Sequence, residues 1–518
     1  MSEIKILWAD DEIDLLKPQI LFLEQRGYSI VPVTNGYDAL DKVKIENFDI
    51  VFLDESMPGI TGLETLAKIK QIKQDIPVIL ITKNEEENIM DEAIGSQIAD
   101  YLIKPVKPNQ ILLAIKKIID NKRLVIEKTT IDYRKEFQEI IMAMTNNMDH
   151  KEWVEVYRKL IFWDLELDKA NNQQMREVYN MQRTEANKEF FKFIQRNYLK
   201  WLKNLSSPET PTLSHTLFKS KVIPNIDGEV ATFFILIDNL RYDQWKMIEP
   251  LINEHFRKVS EDYFFSILPT TTQYSRNAIF AGLMPSEIEK KYPTKWSHDE
   301  DEGGKNLHEE WFFNEQLKRY GTPIKTSYTK ITNHADGKNL EDNILNLMNN
   351  MLNVIVYNFV DMLSHARTEM EVLKELASDE SAYRSLSLSW FEHSPLSDAL
   401  LKLKDKKVRL IFTADHGTTR VQSPAKVIGD KNTTTNLRYK TGKNLNYNPK
   451  EVLEVKNPDE AFLPKANLSS SFIFAKEDYY FVYPNNYNHF VNYYKNTFQH
   501  GGISLEEMIV PFMVYQSK

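Results

Sequence analysis

The chain has 518 residues, 42% of them hydrophobic and 27% charged, with a net charge of −9 and no cysteine. That length accommodates about three domains. The missing cysteines exclude disulfides and thiolate metal sites, so any zinc must sit on His and carboxylates, and the acidic balance argues against a surface built to coat nucleic acid. No apolar run approaches the ~18–20 residues of a membrane helix. Met1-Ser-Glu leads directly into Ile4-Lys-Ile-Leu-Trp8 with no basic segment ahead of an apolar run. The expectation is a cytoplasmic protein with no membrane insertion.

Residues 1–121 alternate between strand and helix signals. Strands are predicted at Ile4–Trp8, Tyr28–Val33, Ile50–Leu53, Pro77–Ile81 and Tyr101–Ile103, with a helix after each. Such βα repetition means a parallel sheet covered on both faces. Carboxylates gather at the strand ends: Asp10 and Asp11 after the first strand and Asp54 after the third. Thr82 follows the fourth, and Lys104-Pro105 the fifth. Three converging carboxylates repel one another unless a cation sits among them, and Mg²⁺ favours such oxygen ligands. Beside a lysine and a hydroxyl, a carboxylate so neutralised can accept a phosphoryl group. Capping of the following helices is the bland alternative for Asp10-Asp11; Asp54, Thr82 and Lys104 in this order favour the switch.

These residues resemble the CheY-like (βα)5 receiver domain of two-component response regulators. Asp10-Asp11-Glu12, Asp54-Glu-Ser-Met-Pro-Gly-Ile-Thr-Gly62, Thr82 and Lys104-Pro105 carry the likeness. The resemblance implies phosphorylation of Asp54 by a sensor histidine kinase. It also implies one Mg²⁺ held by Asp10, Asp11, Asp54 and the Ser56 carbonyl, and a switch in which Thr82 and Tyr101 reorient. It further implies that phosphorylation pairs two copies of the chain.

Strand signals stop over residues 122–205. Phe137, Ile140, Ile141, Met144 and Met148, then Trp153, Val156, Tyr157, Leu160 and Ile161, then Met175, Val178 and Met181, then Phe190, Phe193, Ile194 and Leu202 follow helical spacing. Three or four amphipathic helices suit a helical bundle linker domain. Its aromatic and Met stripe reads as core, with a dimer contact as the alternative. Ser206-Ser-Pro-Glu-Thr-Pro211 reads as the linker that ends it.

Residues 206–518 alternate again, with strands predicted at Thr232–Ile237, Phe264–Leu268, Val354–Phe359, Val408–Phe412, Ser471–Phe474 and Tyr480–Val482. Helices are predicted at Ser275–Gly282, Asn339–Met351 and Leu396–Lys404. Phe233-Phe-Ile-Leu-Ile-Asp238 reads as a buried strand delivering a carboxylate at its carboxyl end, where open α/β sheets assemble ligand sites. Downstream lie Pro269-Thr-Thr-Thr272, Asp361-Met-Leu-Ser-His365, Ala414-Asp415-His416-Gly417 and His500-Gly-Gly. Singly, each has a bland reading: a helix cap, a surface ion pair or a turn. Together, three Asp, three His and a hydroxyl form a donor set for two divalent metals, with carboxylate and imidazole suiting Zn²⁺ or Mn²⁺. Two metals ~4 Å apart can hold a phosphoryl oxygen with the attacking and leaving oxygens. Gly417 is expected to let the backbone turn tightly. The inserts Tyr292–His308 and Lys426–Asn448 either frame the cleft or form structureless loops.

This pattern resembles the alkaline phosphatase superfamily, most closely its PglZ domains, and His500-Gly-Gly-Ile-Ser-Leu-Glu-Glu-Met-Ile-Val-Pro511 is its most specific piece. The resemblance implies two zinc ions, one held by Asp238, Asp415, His416 and the nucleophile, the other by Asp361, His365 and His500. The attacking threonine would be Thr272, or Thr271 if the register slips by one. Arg276 reads equally as a phosphate contact or a surface residue. The whole chain resembles response regulators of the PorX type, an α/β multidomain architecture of receiver, helical linker and PglZ domain. That likeness implies regulation of type IX secretion and contacts with an extracytoplasmic-function sigma factor and the secretion motor. Two functions compete: a phosphodiesterase acting on nucleotides or oligonucleotides, and a metal-stabilised docking module whose output needs no catalysis. A DNA-binding reading finds no recognition helix with a basic face.

Overall fold

The computed structural model describes residues 4–83, 98–170, 172–321, 323–370, 375–377, 379–430, 433–465 and 469–518, without the side chains of 120–127 and 365–369. The chain divides into two compact units, Met1–Asp132 and Tyr133–Lys518.

In the first unit, β1 (Ile4–Ala9), β2 (Tyr28–Val33), β3 (Ile50–Asp54), β4 (Val78–Thr82) and β5 (Asp100–Ile103) form one parallel sheet in the order β2-β1-β3-β4-β5. β3 and β4 are buried at every position, as strands covered on both faces must be. Alternate residues of β1 serve opposite cores: Leu7 and Ala9 join Leu40 and Leu66, while Ile6 and Trp8 join Leu23 and Ile115. Helix Gly62–Ile72 starts on a capping box between Thr61 and Glu64. Its first residue must be glycine, because a Cβ there would lie 2.4 Å from the Asp54 carbonyl oxygen. The helix expected after the fourth strand falls at 84–97, outside the described residues.

Helix Pro108–Thr145 runs on without a break at residue 121. Two further helices, His150–Ala170 and Gln173–Lys203, complete the connector. Their aromatic stripe is core, but not the core of a separate bundle. Trp153 packs edge-on to Phe190 at 5.3 Å, Trp201 edge-on to Phe265 at 5.4 Å, and Phe190 lies 6.3 Å from Phe265. Phe265 ends β7 (Phe256–Phe265), so the connector shares one hydrophobic core with the carboxyl-terminal sheet. Met181 departs from the stripe and is exposed. The segment read as a linker makes turns, and the Thr212 carbonyl already accepts from the Phe265 amide.

The large sheet contains β6 (Ala231–Ile237), β7, β8 (Thr326–Ile331), β9 (Leu352–Tyr357), β10 (Val408–Thr413) and the carboxyl-terminal strand Ile509–Ser517. From β7 the order runs to the terminal strand, then β10, β6, β9 and β8. The last four strands are mutually parallel, whereas the terminal strand runs antiparallel to both β10 and β7. The carboxyl ends of β10, β6, β9 and β8 therefore lie side by side on one edge. Small sheets built from 419–426, 439–455, 471–482 and 498–499 extend from this body.

Candidate active site

β6, buried throughout, ends by placing Asp238 at the sheet edge, and β10 likewise delivers Asp415-His416. Ligand atoms of Asp238, Asp415 and His416 all lie within 4.8 Å of one another. Thr272 Oγ1 sits 3.3 Å from Asp238 Oδ1 and 3.3 Å from His416 Nε2. Asp361 stands in the first turn of helix Phe359–Glu369, with Oδ1 3.4 Å from His500 Nε2. The His416 and His500 rings stack at 4.4 Å, which joins the two groups. His365 lies on the same helix as Asp361, but its side chain is outside those described. Thr271, the alternative nucleophile, has its Oγ1 buried with no hydrogen-bond partner among the described residues, and hydrogen bonds to Asp238 and His416 are made by Thr272 instead.

Asn239 was not legible as a site residue. It adopts φ 65°, a conformation Asn tolerates better than most residues. Its amide donates to Asp415 Oδ1 at 3.2 Å and its side chain to Asp361 Oδ1 at 3.3 Å, bridging the two groups. Its only sequence signal is its position after a strand-end Asp.

Arg276 is not the surface residue of the second reading. It is buried, and its guanidinium donates to Asp238 Oδ2 at 2.6 Å and Glu309 Oε1 at 2.5 Å. It therefore grips the oxygen of Asp238 opposite to the one near Thr272. Glu309 in turn accepts from Tyr328 and Lys330, which orients the arginine. Gly417 also serves differently from the tight turn expected. A Cβ there would lie 2.0 Å from the Glu506 carbonyl oxygen, so close packing demands glycine.

The closing motif is a knot of hydrogen bonds. Glu507 accepts from the Gly502 amide, the Ser504 hydroxyl and Arg438 at 2.6–3.1 Å, fixing the loop that carries His500. Glu506 points the other way, to Arg183 at 2.6 Å and Asn187 at 3.2 Å on helix Gln173–Lys203. The two inserts meet beside the site. Asp299 accepts from Tyr274 and Tyr439 at 2.7 Å each, and Asn306 donates to the Thr272 carbonyl at 2.8 Å.

Electrostatics favour cations here. Burial, reinforced by Asp415 and Asp361, holds the Asp238 carboxyl well above the ordinary range despite Arg276. Burial pushes His416 down; it also opposes protonation of His500, but the carboxylates of Asp361, Glu507 and Asp415 together outweigh it and push that imidazole up. Among the described residues, Asp415 Oδ2 is buried without a hydrogen-bond donor. Carboxylates and imidazoles so placed are the donor set of a divalent cation, and the residues fit that group.

In the receiver, ligand atoms of Asp10, Asp11 and Asp54 also lie within 4.8 Å of one another. Lys104 Nζ lies 2.7 Å from Asp54 and 2.9 Å from Asp10. Burial pushes the Asp54 carboxyl up against the pull of Lys104. Thr82 is buried at the end of β4, Tyr101 is 40% exposed on β5, and Ser56 lies two residues beyond Asp54.

Residues 217–515 match the BREX system PglZ alkaline phosphatase-like domain. The chain belongs to the PglZ alkaline phosphatase-like family. Residues 6–116 match a response regulator receiver domain and 123–202 the PorX response regulator linker domain, so receiver, linker and PglZ domain follow one another as in PorX-type response regulators. The receiver is similar to those of the transcriptional regulatory protein ResD of Bacillus subtilis (32% identity over 118 residues, 23% of this chain and 49% of that protein) and of ZraR of Klebsiella oxytoca (34% over 123 residues, 24% and 28%). A CheY-like receiver structure from Methanospirillum hungatei is 26% identical, covering 23% of this chain and 96% of that one, with a TM-score of 0.23. The chain spans about half or less of the curated relatives it matches. The PglZ domain implies a phosphatase-superfamily hydrolase that depends on metal, and the receiver implies a phosphodonor such as a histidine kinase. No helix among the described residues is long and apolar enough to cross a membrane.

Proposed function

We propose that the PglZ site hydrolyses phosphodiesters, of a nucleotide or oligonucleotide, under the control of a receiver phosphorylated on Asp54. The observation that carries this reading is the Thr272 hydroxyl, equidistant at 3.3 Å from Asp238 and His416, with Asp361 and His500 alongside. Asp238, Asp415 and His416 would hold one zinc ion, and Asp361, His365 and His500 a second. Ions bound there would supply positive charge to the phosphoryl oxygens and ease ionisation of a hydroxyl. Thr272 Oγ1 attacks phosphorus, the bond from phosphorus to the leaving oxygen breaks, and the hydroxyl proton passes to that oxygen. Asp238 and His416, committed to the ion, hold the hydroxyl in place, and solvent water carries its proton to the leaving oxygen. Water then cleaves the threonine ester, restoring the hydroxyl and releasing the phosphomonoester.

Asn239 keeps the two ligand groups in register, and Arg276 holds Asp238 from behind. In the receiver, Asp10, Asp11 and Asp54 with the Ser56 carbonyl would hold Mg²⁺. Thr82, Tyr101 and Lys104 would carry the switch, pairing two copies. By likeness to the PorX-type family, the biological setting is type IX secretion, with a sigma factor and the secretion motor as partners. Turnover of a chromogenic diester and monoester by wild type, Thr272→Ala and Thr271→Ala tests the reading. Thr272→Ala should lose turnover by at least ~10³-fold, and Thr271→Ala far less. No turnover by the zinc-loaded wild type would leave the docking module as the better account.

A further inference from the structure

The carboxyl edge that carries the metal-ligating groups does not end at β9. Beyond it, where β9 and β8 finish, lies a cavity of about 240 Å³ walled by Tyr357, Phe359, Met362 and Trp390 and rimmed by His334 and His393. The Phe359 and Trp390 rings stack at 4.4 Å with planes 4° apart, and Tyr357 meets Trp390 edge-on at 5.3 Å. One short stretch of chain serves both places. Asn358 accepts from Arg276 behind Asp238, and Asp361 joins His500, while Phe359 and Met362, three apart on the helix, wall the cavity. β9 is the immediate neighbour of β6, whose end carries Asp238, and β8 lies next beyond it, so the cavity shares the strand-end edge of the metal-binding cluster.

We infer that this cavity is the subsite for the nucleobase of a nucleoside flanking the scissile phosphate. The inference rests on the phosphodiester reading above. Aromatic walls offer stacking to the face that every base presents. The two exposed imidazoles, which donate or accept according to protonation, stand where the polar edge of the base would emerge. An aliphatic leaving group would use the walls but not the rim, and Met362, half exposed at the mouth, supplies an adaptable lip.

Two p-nitrophenyl diesters test the subsite, one bearing thymidine through its 5′ oxygen and one bearing methyl. Wild type should favour the thymidine ester in kcat/KM, and Trp390→Ala should shrink that preference by ~10-fold, with the loss in KM. Trp390→Phe, which keeps a ring, should restore most of it. Met362→Ala and His334→Ala change exposed positions and should each shrink the preference more modestly, so the test survives if Trp390→Ala fails to fold. Fluorescence of 2-aminopurine riboside, which carries no phosphate, should be quenched saturably by wild type and not by Trp390→Ala. An unchanged preference in the variants, with no quenching by wild type, overturns the subsite while leaving diester hydrolysis standing. Failure to turn over either ester overturns the hydrolytic reading instead, and the quenching then decides the base site by itself.

Discussion

At the scale of single residues, burial and charge decide what each polar group can do. Lys440 is buried in the strand Tyr439–Gly442, where it donates to the Thr434 carbonyl, and burial depresses its ammonium to about 8. A lysine depressed in the folded state costs stability wherever it must stay charged. The penalty is full below about pH 8 and disappears as pH rises toward the ~10.4 of a free lysine. Lys440→Met is therefore expected to be the more stable protein at pH 7 by on the order of 2 kcal/mol, allowing for the lost hydrogen bond. Urea denaturation at several pH values should show that advantage fading by pH 10. An advantage independent of pH would contradict the assignment. At this scale Asp238, Asp415 and His416 were legible as a cluster, because strand ends carrying Asp or Asp-His stand out from apolar runs. Asn239 and Glu309 were not, since one polar residue in a turn or at a helix start carries no periodicity.

At the scale of elements, the motif His500-Gly-Gly-Ile-Ser-Leu-Glu506-Glu507 works as two opposed anchors. Glu507 holds its own loop and Glu506 holds the connector helix. The Glu506 backbone also presses on Gly417, next to His416 of the candidate metal cluster. Gly417→Ala is expected to push these segments apart, weakening zinc affinity by ~10–100-fold, the usual penalty for disturbing ligand support. Competition with a chromogenic chelator measures it, and unchanged affinity would mean the approach is slack. Parallel strands β6, β9 and β10 were readable as apolar runs. Strand β7 was seen only at its Phe264–Phe265 end, because residues 257–260 are charged or exposed along an edge that pairs on one side. A sequence shows that an aromatic stripe is buried but not what buries it. For that reason the connector's shared core with the large sheet is a property of the fold that the helical spacing does not reveal.

At the scale of the whole molecule, two sites of similar chemistry sit in separate compact units: a carboxylate cluster beside Lys104 in the first, and carboxylates with imidazoles beside Thr272 in the second. The account depends most on the second being a two-metal centre. Diffraction from zinc-soaked crystals on either side of the zinc absorption edge tests this directly. Two anomalous peaks ~4 Å apart are expected, one among Asp238, Asp415 and His416 and the other beside Asp361 and His500, both near the Thr272 hydroxyl. No peak at these side chains, or zinc bound only elsewhere on the protein, would contradict it.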